Sequence, residues 1–336
     1  MSINISIICP TLNEEKYIVA CIDSLEQQDI EKAEIEVIFV DGFSTDRTRD
    51  IIKAHQKYHN WMKLIDNPKR IVPCAMNIGI KNAKGNIIIR IDAHATFPAN
   101  YISELVRNLK SLNADNVGAL IETLPVNESI EAKSIATALS SSFGMGNSYF
   151  RVGAKKIMEV DTVPFGCFRR EVFDKIGLYD EELIRNQDDE LNARIIKNGG
   201  KIFLLPHLVI KYVARDSIKK TRKMFYQYGL YKPLVNKKLG SPATIRQFFP
   251  LLFVLGIFFG FILSFIHPVF IYIYVSTLLV YLMCAIYFGM KDSKDRKEIF
   301  YLPYVYANIH TAYGWGYLVG IYNILMKKPF DARINR

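Results

Sequence analysis

Residues 86–95 read Asn-Ile-Ile-Ile-Arg-Ile-Asp-Ala-His-Ala and decide the fold class of this chain. The apolar run lies between Lys84-Gly85 and Pro98, which is typical of a buried strand in a mostly parallel sheet. Ligands of open α/β sheets bind beyond the carboxyl ends of the strands, where this run delivers Asp92 and His94. Both could bind one Mg²⁺ or Mn²⁺ completed by substrate phosphates. A capped strand end with a solvated aspartate and a hydrogen-bonded histidine is the alternative.

The preceding residues repeat a strand-to-helix pattern. Residues 5–9 and 35–40 are apolar runs that predict strands, and each is followed by a polar stretch and a helix start. Asn13 is expected to cap the first helix. A third strand near residues 62–65 and a helix over residues 73–81 follow. Because parallel strands need crossover helices, the pattern predicts a doubly wound, mostly parallel α/β sheet.

Polar residues stand where the first two strands end. No Gly-x-Gly-x-x-Gly follows the first strand, which argues against a dinucleotide dehydrogenase. Thr11-Leu-Asn-Glu-Glu15 stands there instead, and Asp41 ends the second strand, where it can accept hydrogen bonds from a base or ribose. Arg70 is a basic group suited to a diphosphate. Simple turn and cap roles for Thr11 and Asp41 are the alternative.

A cluster of carboxylates opens a predicted helix at residues 187–190, Gln-Asp-Asp-Glu. The helix dipole stabilises negative charge there, which is a purely structural explanation. Crowded like charges also raise the pKa of at least one carboxyl group. Such a carboxylate suits a base that takes a proton from a hydroxyl.

Taken together, these stretches resemble the family 2 glycosyltransferases of GT-A fold. The resemblance covers most of residues 3–212 and rests on five motifs in order, namely Pro10-Thr-Leu-Asn-Glu-Glu, Val40-Asp41 with Ser44-Thr-Asp46, Asn77-Ile-Gly79 with Ala83-Lys-Gly85, Asp92-Ala-His94 in the place of Asp-x-Asp, and Gln187-Asp-x-Glu-Leu-x-x-Arg194. Residues 91–95, residues 161–166 and the apolar C-terminal third are most similar to succinoglycan-type exopolysaccharide glycosyltransferases, which are membrane-attached.

The resemblance implies a role for each matching residue. Asp188 is the implied catalytic base, because the spacing to Leu191 and Arg194 favours it over Asp189. The other implied roles are Thr11 and Glu14 beside the nucleotide, Asp41 at the base, Asp92 at the donor and on the divalent cation (Mn²⁺ or Mg²⁺), His94 in the family's second acidic position, and Gly166, Asp189 and Arg194 on the acceptor side.

The resemblance also implies a reaction. The Gln-x-x-Arg-Trp motif of processive synthases is missing, which favours transfer of a single sugar. We expect inverting transfer from a nucleotide-sugar donor, a UDP-sugar, to a hydroxyl of a polyprenyl-diphosphate-linked oligosaccharide. Two alternatives stay open. One is a polyprenyl-phosphate glycosyltransferase, whose acceptor phosphate has less need of Asp188. The other is a non-catalytic scaffold of a polysaccharide assembly complex.

The formal charge of +10 is concentrated before the apolar C-terminal third. Residues 207–246 hold ten basic residues and one acid, Asp216. This excess favours anionic headgroups and a positive-inside signal, and neither an RNA-binding signature nor a helix-turn-helix points to nucleic acid. Residues 213–246 are therefore predicted to form a basic interfacial segment, with an ordinary solvated surface helix as the alternative.

Two uncharged runs, residues 248–266 and 269–289, are separated by His267-Pro268. Each can cross about 30 Å of hydrocarbon, so residues 247–290 are predicted to form a transmembrane hairpin. A third apolar segment, residues 299–326, is transmembrane or re-entrant. Its Gly316-x-x-x-Gly320, like Gly256-x-x-x-Gly260, could permit close helix packing. The basic flanks predict a multi-pass protein of the cytoplasmic membrane, with the catalytic domain, residues 1–212, in the cytoplasm.

The five cysteines are scattered and lack Cys-x-x-Cys spacing. They indicate reduced thiols in the cytosol, and neither a zinc site nor a disulfide framework. The start Met-Ser-Ile-Asn lacks a charged region, and no signal peptide is expected. The sequence sets neither the sugar nor the oligomeric state.

Overall fold

The computed structural model describes residues 3–330 of this 336-residue chain. The described residues divide into two compact units. The first, here called the α/β unit, runs up to Glu122 and resumes over Gly153–Tyr212. The second, here called the helical unit, comprises Thr123–Val152 and the chain from Val213 onward. The catalytic domain expected over residues 1–212 thus differs from the α/β unit, because residues 123–152 belong to the helical unit.

The strands form one mixed sheet. They are β1 (Ile5–Thr11), β2 (Ile35–Asp41), β3 (Met62–Asp66), β4 (Ile87–Arg90), β5 (Ala95–Thr96), β6 (Asn116–Leu124), β7 (Met158–Glu159), β8 (Cys167–Arg169) and β9 (Ile202–Val213). The order is β3-β2-β1-β4-β8-β6-β9-β5, with β7 paired to β9. Strands β3, β2, β1 and β4 are parallel, as predicted. The pairs β4–β8, β6–β8, β5–β9 and β7–β9 are antiparallel, so the sheet is less parallel than the sequence suggested.

The helices, in chain order, are α1 (Ile18–Glu26), α2 (Thr48–Gln56), α3 (Val72–Asn82), α4 (Tyr101–Ser111), α5 (Ile130–Ser140), α6 (Ser142–Met145), α7 (Tyr149–Val152), α8 (Arg170–Ile176), α9 (Gln187–Lys197), α10 (Ile218–Leu239), α11 (Phe248–Leu263), α12 (Pro268–Asp292) and α13 (Arg296–Leu325). Short 3₁₀ turns cover Lys32–Glu34 and Ile245–Gln247.

The register of the parallel strands brings their carboxyl ends to one edge of the sheet. Thr11 at the end of β1 pairs with Asp41 at the end of β2, and Asp41 pairs with Asp66. On the other side of β1, Ile8 pairs with Arg90, the last residue of β4. Asp92 follows that strand by two residues. We call this edge the carboxyl edge.

The first helix starts later than the sequence suggested, so the expected cap at Asn13 is wrong. Helix α1 begins after Tyr17 and has no side-chain cap. Asn13 instead adopts a left-handed conformation with φ of 57°. Its Oδ1 accepts a hydrogen bond from the Thr45 backbone N–H at 2.8 Å. The side chain therefore ties the loop after β1 to the loop after β2.

Glycines set the packing of α13 in the helical unit. A Cβ on Gly316 would lie 2.2 Å from the carbonyl oxygen of Tyr226 in α10, and one on Gly320 would lie 2.3 Å from that of Leu230. Helix α13 can approach α10 this closely only because these positions lack side chains. By contrast, a Cβ on Gly256 in α11 would meet nothing within 4 Å.

Two helices of the described chain, residues 3–330, are long and apolar enough to cross a membrane: Ile245–Leu263 and Pro268–Asp292. More than half of their side chains are exposed, including those of Phe249 in α11 and Tyr272 in α12. Helix α13, which contains the third apolar segment, has its Leu302, Val305 and Tyr306 in the buried core of the helical unit. Whether that segment enters a membrane stays a prediction.

The predicted basic interfacial segment, residues 213–246, contains α10. One face of α10 is buried, including Phe225 and Leu230, while Lys219 and Arg222 are exposed. The helix thus combines a packed face with a basic face, and its contact with a lipid surface stays a prediction.

Candidate active site

Arg90 joins two of the predicted site aspartates. Its Nη1 donates to Asp188 Oδ1 at 2.5 Å and its Nη2 donates to Asp92 Oδ1 at 3.2 Å. The Arg90 side chain is only 6% exposed, whereas Asp92 and Asp188 are 20% and 29% exposed. The guanidinium also lies over the Phe165 ring, 5.7 Å from its centre. Two carboxylates distant in sequence therefore share one buried cation and keep a face toward solvent.

Electrostatics distinguish Asp188 from an ordinary surface aspartate. Burial raises its pKa, the charges of Asp92 and Asp189 act in the same direction, and the Arg90 guanidinium opposes them. The net direction is upward. Burial lowers the pKa of Arg90, but Asp188 and Asp92 outweigh it and hold that pKa above its ordinary value. Arg90 therefore stays charged, and Asp188 is a stronger proton acceptor than an exposed aspartate.

Helix α9 is held in place by Arg194. Its guanidinium donates to Glu190 Oε1 at 2.6 Å, to the Ile176 carbonyl at 2.6 Å and to the Leu178 carbonyl at 2.7 Å. These bonds fix the start of α9, which carries Asp188. The predicted acceptor-side role of Arg194 stays a prediction, and what the structure shows is a positioning contact.

Gly166 is buried beside the same helix. A Cβ there would lie 2.4 Å from Asn116 Oδ1 and 2.4 Å from the Phe168 ring, so a larger residue would require these side chains to shift. Its carbonyl accepts a hydrogen bond from the Arg90 backbone N–H at 3.0 Å. Nearby, Thr162 Oγ1 donates to Asp189 Oδ1 at 3.4 Å. Contacts of Gly166 and Asp189 with an acceptor stay predictions.

Asp41 lies fully buried at the end of β2. It accepts hydrogen bonds from Ser44 Oγ at 2.5 Å, the Ser44 backbone N–H at 2.9 Å and Thr11 Oγ1 at 3.4 Å. Arg49 Nη1 lies 2.8 Å from Asp41 Oδ2, and Arg49 Nη2 lies 2.8 Å from Asp66 Oδ1. Asp41 thus anchors the loop that begins α2, beside the position of Thr11 in β1.

Arg70 lies in the loop after β3, at the same edge. Its guanidinium and that of Arg49 lie 5.8 Å and 5.7 Å from the centre of the Phe43 ring. Phe43 is 39% exposed. Two cations grouped around an exposed aromatic ring form a surface suited to the base and phosphates of a nucleotide.

Glu14, in the loop after β1, lies close to His94, in the loop after β4. His94 Nδ1 lies 3.4 Å from Glu14 Oε1. The backbone N–H of Glu14 donates to Thr48 Oγ1 at 2.8 Å, which fixes the loop after β1. The rings of Tyr17 and Tyr212 lie edge-on to His94, with centres 6.5 Å and 5.9 Å away. These contacts hold His94 close to Glu14, and His94 is two residues from Asp92 in the sequence.

Asp92 and His94 are chemically suited to bind a divalent cation whose coordination shell is completed by a ligand. Asp92 offers carboxylate oxygen and His94 offers imidazole nitrogen, and their side chains are 20% and 34% exposed. Mn²⁺ accepts both atom types, and Mg²⁺ prefers oxygen and commonly takes substrate phosphates. Two partly exposed protein ligands suit a metal carried with a diphosphate.

The loops of the carboxyl edge hold unusual backbone conformations. Five of their non-glycine residues have φ between 49° and 60°, namely Asn13, Phe43, Arg70, Phe165 and Asn186. Such conformations cost on the order of 1–3 kcal/mol each and cluster at ligand sites. Their concentration at the carboxyl edge indicates that this edge is a ligand-binding site.

Sequence reasoning did not single out Arg90, Arg49 or Phe43. A signal for Arg90 was present, because one charged residue interrupts the apolar run of residues 87–91. A charge in a buried strand requires a partner, and Asp92 and Asp188 supply it. No comparable signal marked Phe43, whose significance depends on two arginines brought together by folding.

This arrangement defines a nucleotide-binding α/β enzyme, with carboxylates, cations and a strong proton acceptor at the carboxyl edge. Residues 6–177 match the model of Glycosyl transferase family 2. The chain therefore belongs to that family, as its motifs predicted, and it is a glycosyltransferase that acts on nucleotide sugars.

Named relatives agree with this assignment. The chain is 32% identical over 326 residues to the dolichyl N-acetyl-alpha-D-glucosaminyl phosphate 3-beta-D-2,3-diacetamido-2,3-dideoxy-beta-D-glucuronosyltransferase of Methanococcus voltae, covering 94% of this chain and 97% of the relative. It is 32% identical over 263 residues to the succinoglycan biosynthesis protein ExoA of Rhizobium meliloti, covering 78% of each. The predicted similarity to succinoglycan-type enzymes is confirmed.

Solved structures show the same fold. The mannosyltransferase PcManGT from Pyrobaculum calidifontis, in complex with GDP-Man and Mn²⁺, has a TM-score of 0.53 at 15% identity, covering 97% of this chain and 75% of that one. S. aureus TarS 1–349 in complex with UDP-GlcNAc has a TM-score of 0.51 at 15% identity, covering 97% and 93%. The predicted GT-A fold is confirmed.

Proposed function

We propose that this enzyme transfers a single sugar, with inversion, from a UDP-sugar to a hydroxyl of a polyprenyl-diphosphate-linked saccharide. The observation that carries the proposal is the pairing of Asp188 and Asp92 on one buried guanidinium, that of Arg90. This pairing brings a base and a donor-side carboxylate into one place. A binding scaffold would have no need of either.

Asp188 is the proposed catalytic base. Its carboxylate accepts the proton of an acceptor hydroxyl as that oxygen attacks the anomeric carbon from the face opposite the nucleotide. Its raised pKa favours this proton transfer, and Arg90 holds the carboxylate in place. A positioned base contributes about a hundred- to ten-thousand-fold in rate. An acceptor phosphate would arrive already ionised and would need no such base.

The donor is proposed to lie along the carboxyl edge. Asp41 and Thr11 are proposed to contact the base and ribose, which requires the loop after β2 to open because Asp41 is fully buried. The guanidinium groups of Arg70 and Arg49 are proposed to attract the diphosphate. Asp92 and His94 would hold the Mn²⁺ or Mg²⁺. When bound, that cation supplies positive charge that stabilises the leaving diphosphate.

The relatives support a lipid-linked acceptor. The Methanococcus voltae relative, which this chain matches over nearly its full length, is named for a dolichyl-linked sugar phosphate. A lipid-linked acceptor also suits α11 and α12, which we propose to cross the cytoplasmic membrane with the α/β unit in the cytoplasm.

The function is tested by incubating the full chain in lipid nanodiscs with a panel of nucleotide sugars, Mn²⁺ and a lipid extract from its source. The expected result is release of nucleoside diphosphate from one donor, with its sugar on the hydroxyl of a lipid-linked saccharide and the anomeric configuration inverted. A sugar attached directly to the lipid phosphate would assign the enzyme to the polyprenyl-phosphate class. Failure to transfer or hydrolyse any donor would favour the scaffold.

Donor binding has a separate test in Asp92→Ala, followed by calorimetry with UDP in the presence and absence of Mn²⁺. We expect wild type to bind UDP more tightly with Mn²⁺ and the variant to lose this difference. Asp174→Ala, at an exposed position of α8, is the matched control and should behave as wild type. Equal Mn²⁺ dependence in Asp92→Ala would remove that residue from the metal site.

A further inference from the structure

A second cluster of metal-ligating side chains lies in the α/β unit. Glu26 ends α1, His55 lies in the last turn of α2, and His59 follows α2 by three residues. One ligand atom from each lies within 4.8 Å of the other two. Glu26 Oε1 is 3.6 Å from His55 Nδ1 and 2.7 Å from His59 Nε2. A carboxylate and two imidazoles thus converge from two helices.

This cluster is remote from the candidate active site. Helices α1 and α2 connect parallel strands, so each returns the chain from the carboxyl edge to the opposite edge of the sheet. Glu26 precedes β2 and His59 precedes β3, whereas Asp41 ends β2. Since β2 has seven residues, the two places are roughly 20 Å apart along the strands. The cluster therefore shares no residue or ligand with Asp92 and His94.

The distances between the ligand atoms suit a small divalent ion. Tetrahedral Zn²⁺ binds nitrogen and oxygen at about 2.0–2.2 Å, which separates neighbouring ligand atoms by about 3.4 Å. The 3.6 Å distance from Glu26 to His55 already matches, and the 2.7 Å distance to His59 needs only a small opening. Glu26 Oε1 is buried, and no donor of the described residues is aligned to hydrogen-bond it. A metal ion would satisfy that oxygen.

A backbone hydrogen bond fixes His55 and His59 relative to each other. The His59 N–H donates to the His55 carbonyl at 3.1 Å, so the chain continues for one more turn and keeps both imidazoles on the same side. Their rings lie nearly parallel, 6.1 Å apart. The His59 ring also packs against the buried Trp61, with centres 5.2 Å apart. The three ligating side chains are 25–33% exposed, which leaves a fourth position open to water.

We propose that Glu26, His55 and His59 bind one divalent transition-metal ion of the Zn²⁺ class, which joins the ends of α1 and α2. Two imidazoles favour Zn²⁺ and its neighbours over Mg²⁺, which prefers oxygen ligands. Three protein ligands plus water is the coordination of an accessible zinc site. This site is independent of sugar transfer and of the cation proposed at Asp92.

The test uses Co²⁺ as a coloured substitute for Zn²⁺ in the full, untagged chain freed of metal. We expect one equivalent of Co²⁺ to produce visible absorption bands of a low-coordinate nitrogen and oxygen site, and Zn²⁺ to remove them. His59→Ala and Glu26→Gln should each weaken binding by at least about a hundredfold, because losing a ligand costs no less than losing a supporting residue. His207→Ala is the matched control, since His207 pairs with Glu104, at 3.0 Å, and is not one of the three clustered ligands.

Two further measurements separate metal binding from folding and from catalysis. Zn²⁺ should raise the melting temperature of wild type by roughly 5 °C but leave that of His59→Ala unchanged, while both melt alike in EDTA. Asp92→Ala should keep the Co²⁺ bands, and His59→Ala should keep Mn²⁺-dependent sugar transfer. Absence of the bands in wild type, or their persistence in both His59→Ala and Glu26→Gln, would reduce the cluster to a hydrogen-bonded surface group and overturn the proposal.

Discussion

The two units of this protein use apolar residues in opposite ways. In the α/β unit, Ile7, Phe39 and Ile89 of adjacent strands are completely buried. In the helical unit, Tyr272 of α12 and Phe265 after α11 are 73% and 76% exposed. Soluble proteins rarely expose apolar surface on this scale without a partner. The α/β unit buries its apolar residues in its own core, whereas α11 and α12 leave many of theirs exposed, and we propose that lipid covers them.

Buried ion pairs are prominent in the α/β unit, and close helix contacts at glycine are prominent in the helical unit. In the α/β unit, buried charges such as Arg90 and Glu36 are matched by partners that set the position of each loop and strand. In the helical unit, Gly229, Gly316 and Gly320 let backbones touch. Removing one of these charges should therefore damage the α/β unit, and adding a methyl group at one of these glycines should damage the helical unit.

The largest effect is expected for Asp188→Asn. The variant keeps the shape of the side chain but cannot accept the proton, so transfer should fall by about a hundred- to ten-thousand-fold while donor binding persists. The rate is measured as nucleoside diphosphate released with acceptor present, and donor binding by calorimetry. Asp174→Asn on α8 is the exposed control. Wild-type turnover in Asp188→Asn would assign the base elsewhere.

The contrast in packing is tested by Gly316→Ala. Its new Cβ would lie 2.2 Å from the Tyr226 carbonyl oxygen, so α13 must move away from α10. We expect a loss of about 2–3 kcal/mol in the free energy of unfolding, as for overpacked cores. The measurement is thermal unfolding in detergent. Gly256→Ala, which meets nothing within 4 Å, should be neutral or slightly stabilising.

The exposed face of the helical unit is tested by Leu279→Arg in α12, where Leu279 is 52% exposed. An arginine near the centre of a membrane helix costs about 2.5–3.5 kcal/mol of insertion free energy. The fraction of chain that resists alkaline extraction from membranes should therefore fall, while Leu279→Ala retains most of it. If both variants behave as wild type, α12 does not lie in lipid.

A smaller effect is expected for Glu36→Gln in β2. Burial raises the pKa of Glu36, but hydrogen bonds from Lys63, Ser6 and the Lys84 backbone N–H outweigh burial and hold that pKa below its ordinary value. The lowered pKa stabilises the folded state above about pH 4.3, the ordinary value, and this contribution disappears as pH falls through the folded-state pKa.

Glu36→Gln should therefore cost about 2 kcal/mol at neutral pH and less in acid, because the hydrogen bonds of a charged carboxylate to Lys63, Ser6 and the Lys84 backbone N–H are lost or weakened. Urea unfolding at pH 7 and at pH 3 measures both values. Glu31→Gln, at an exposed position before β2, serves as control. An equal loss at both pH values would show that Glu36 acts through shape and not through charge.

The parallel half of the sheet was predictable, and the antiparallel half was not. Strands β1 and β2 are each seven residues long and mostly apolar, and each is followed by a helix, which is a strong sequence signal. Strand β8 has three residues and β5 and β7 have two each, too few to show any period. Their pairing is set by partners distant in sequence, so it emerges only in the folded chain.

The same limit applies to the sites. Motif order predicted Asp92 and Asp188, but their shared partner Arg90 required the strand and the helix to be in place. Likewise, His55 and His59 are four residues apart in sequence, yet Glu26 joins them only because α1 and α2 end together. Residues 123–152 were assigned to the catalytic domain for lack of any local signal, although Ile135 and Leu139 pack in the core of the helical unit.

The central claim is that Asp41, Asp92 and Asp188 surround one nucleotide sugar at the carboxyl edge. Its most direct test is anomalous diffraction at the manganese absorption edge from crystals of the full chain grown with UDP and Mn²⁺. The account predicts a manganese peak at the Asp92 carboxylate, with uracil beside Asp41 and the diphosphate toward Arg70. A UDP molecule bound away from that edge, or a manganese peak remote from Asp92, would contradict it.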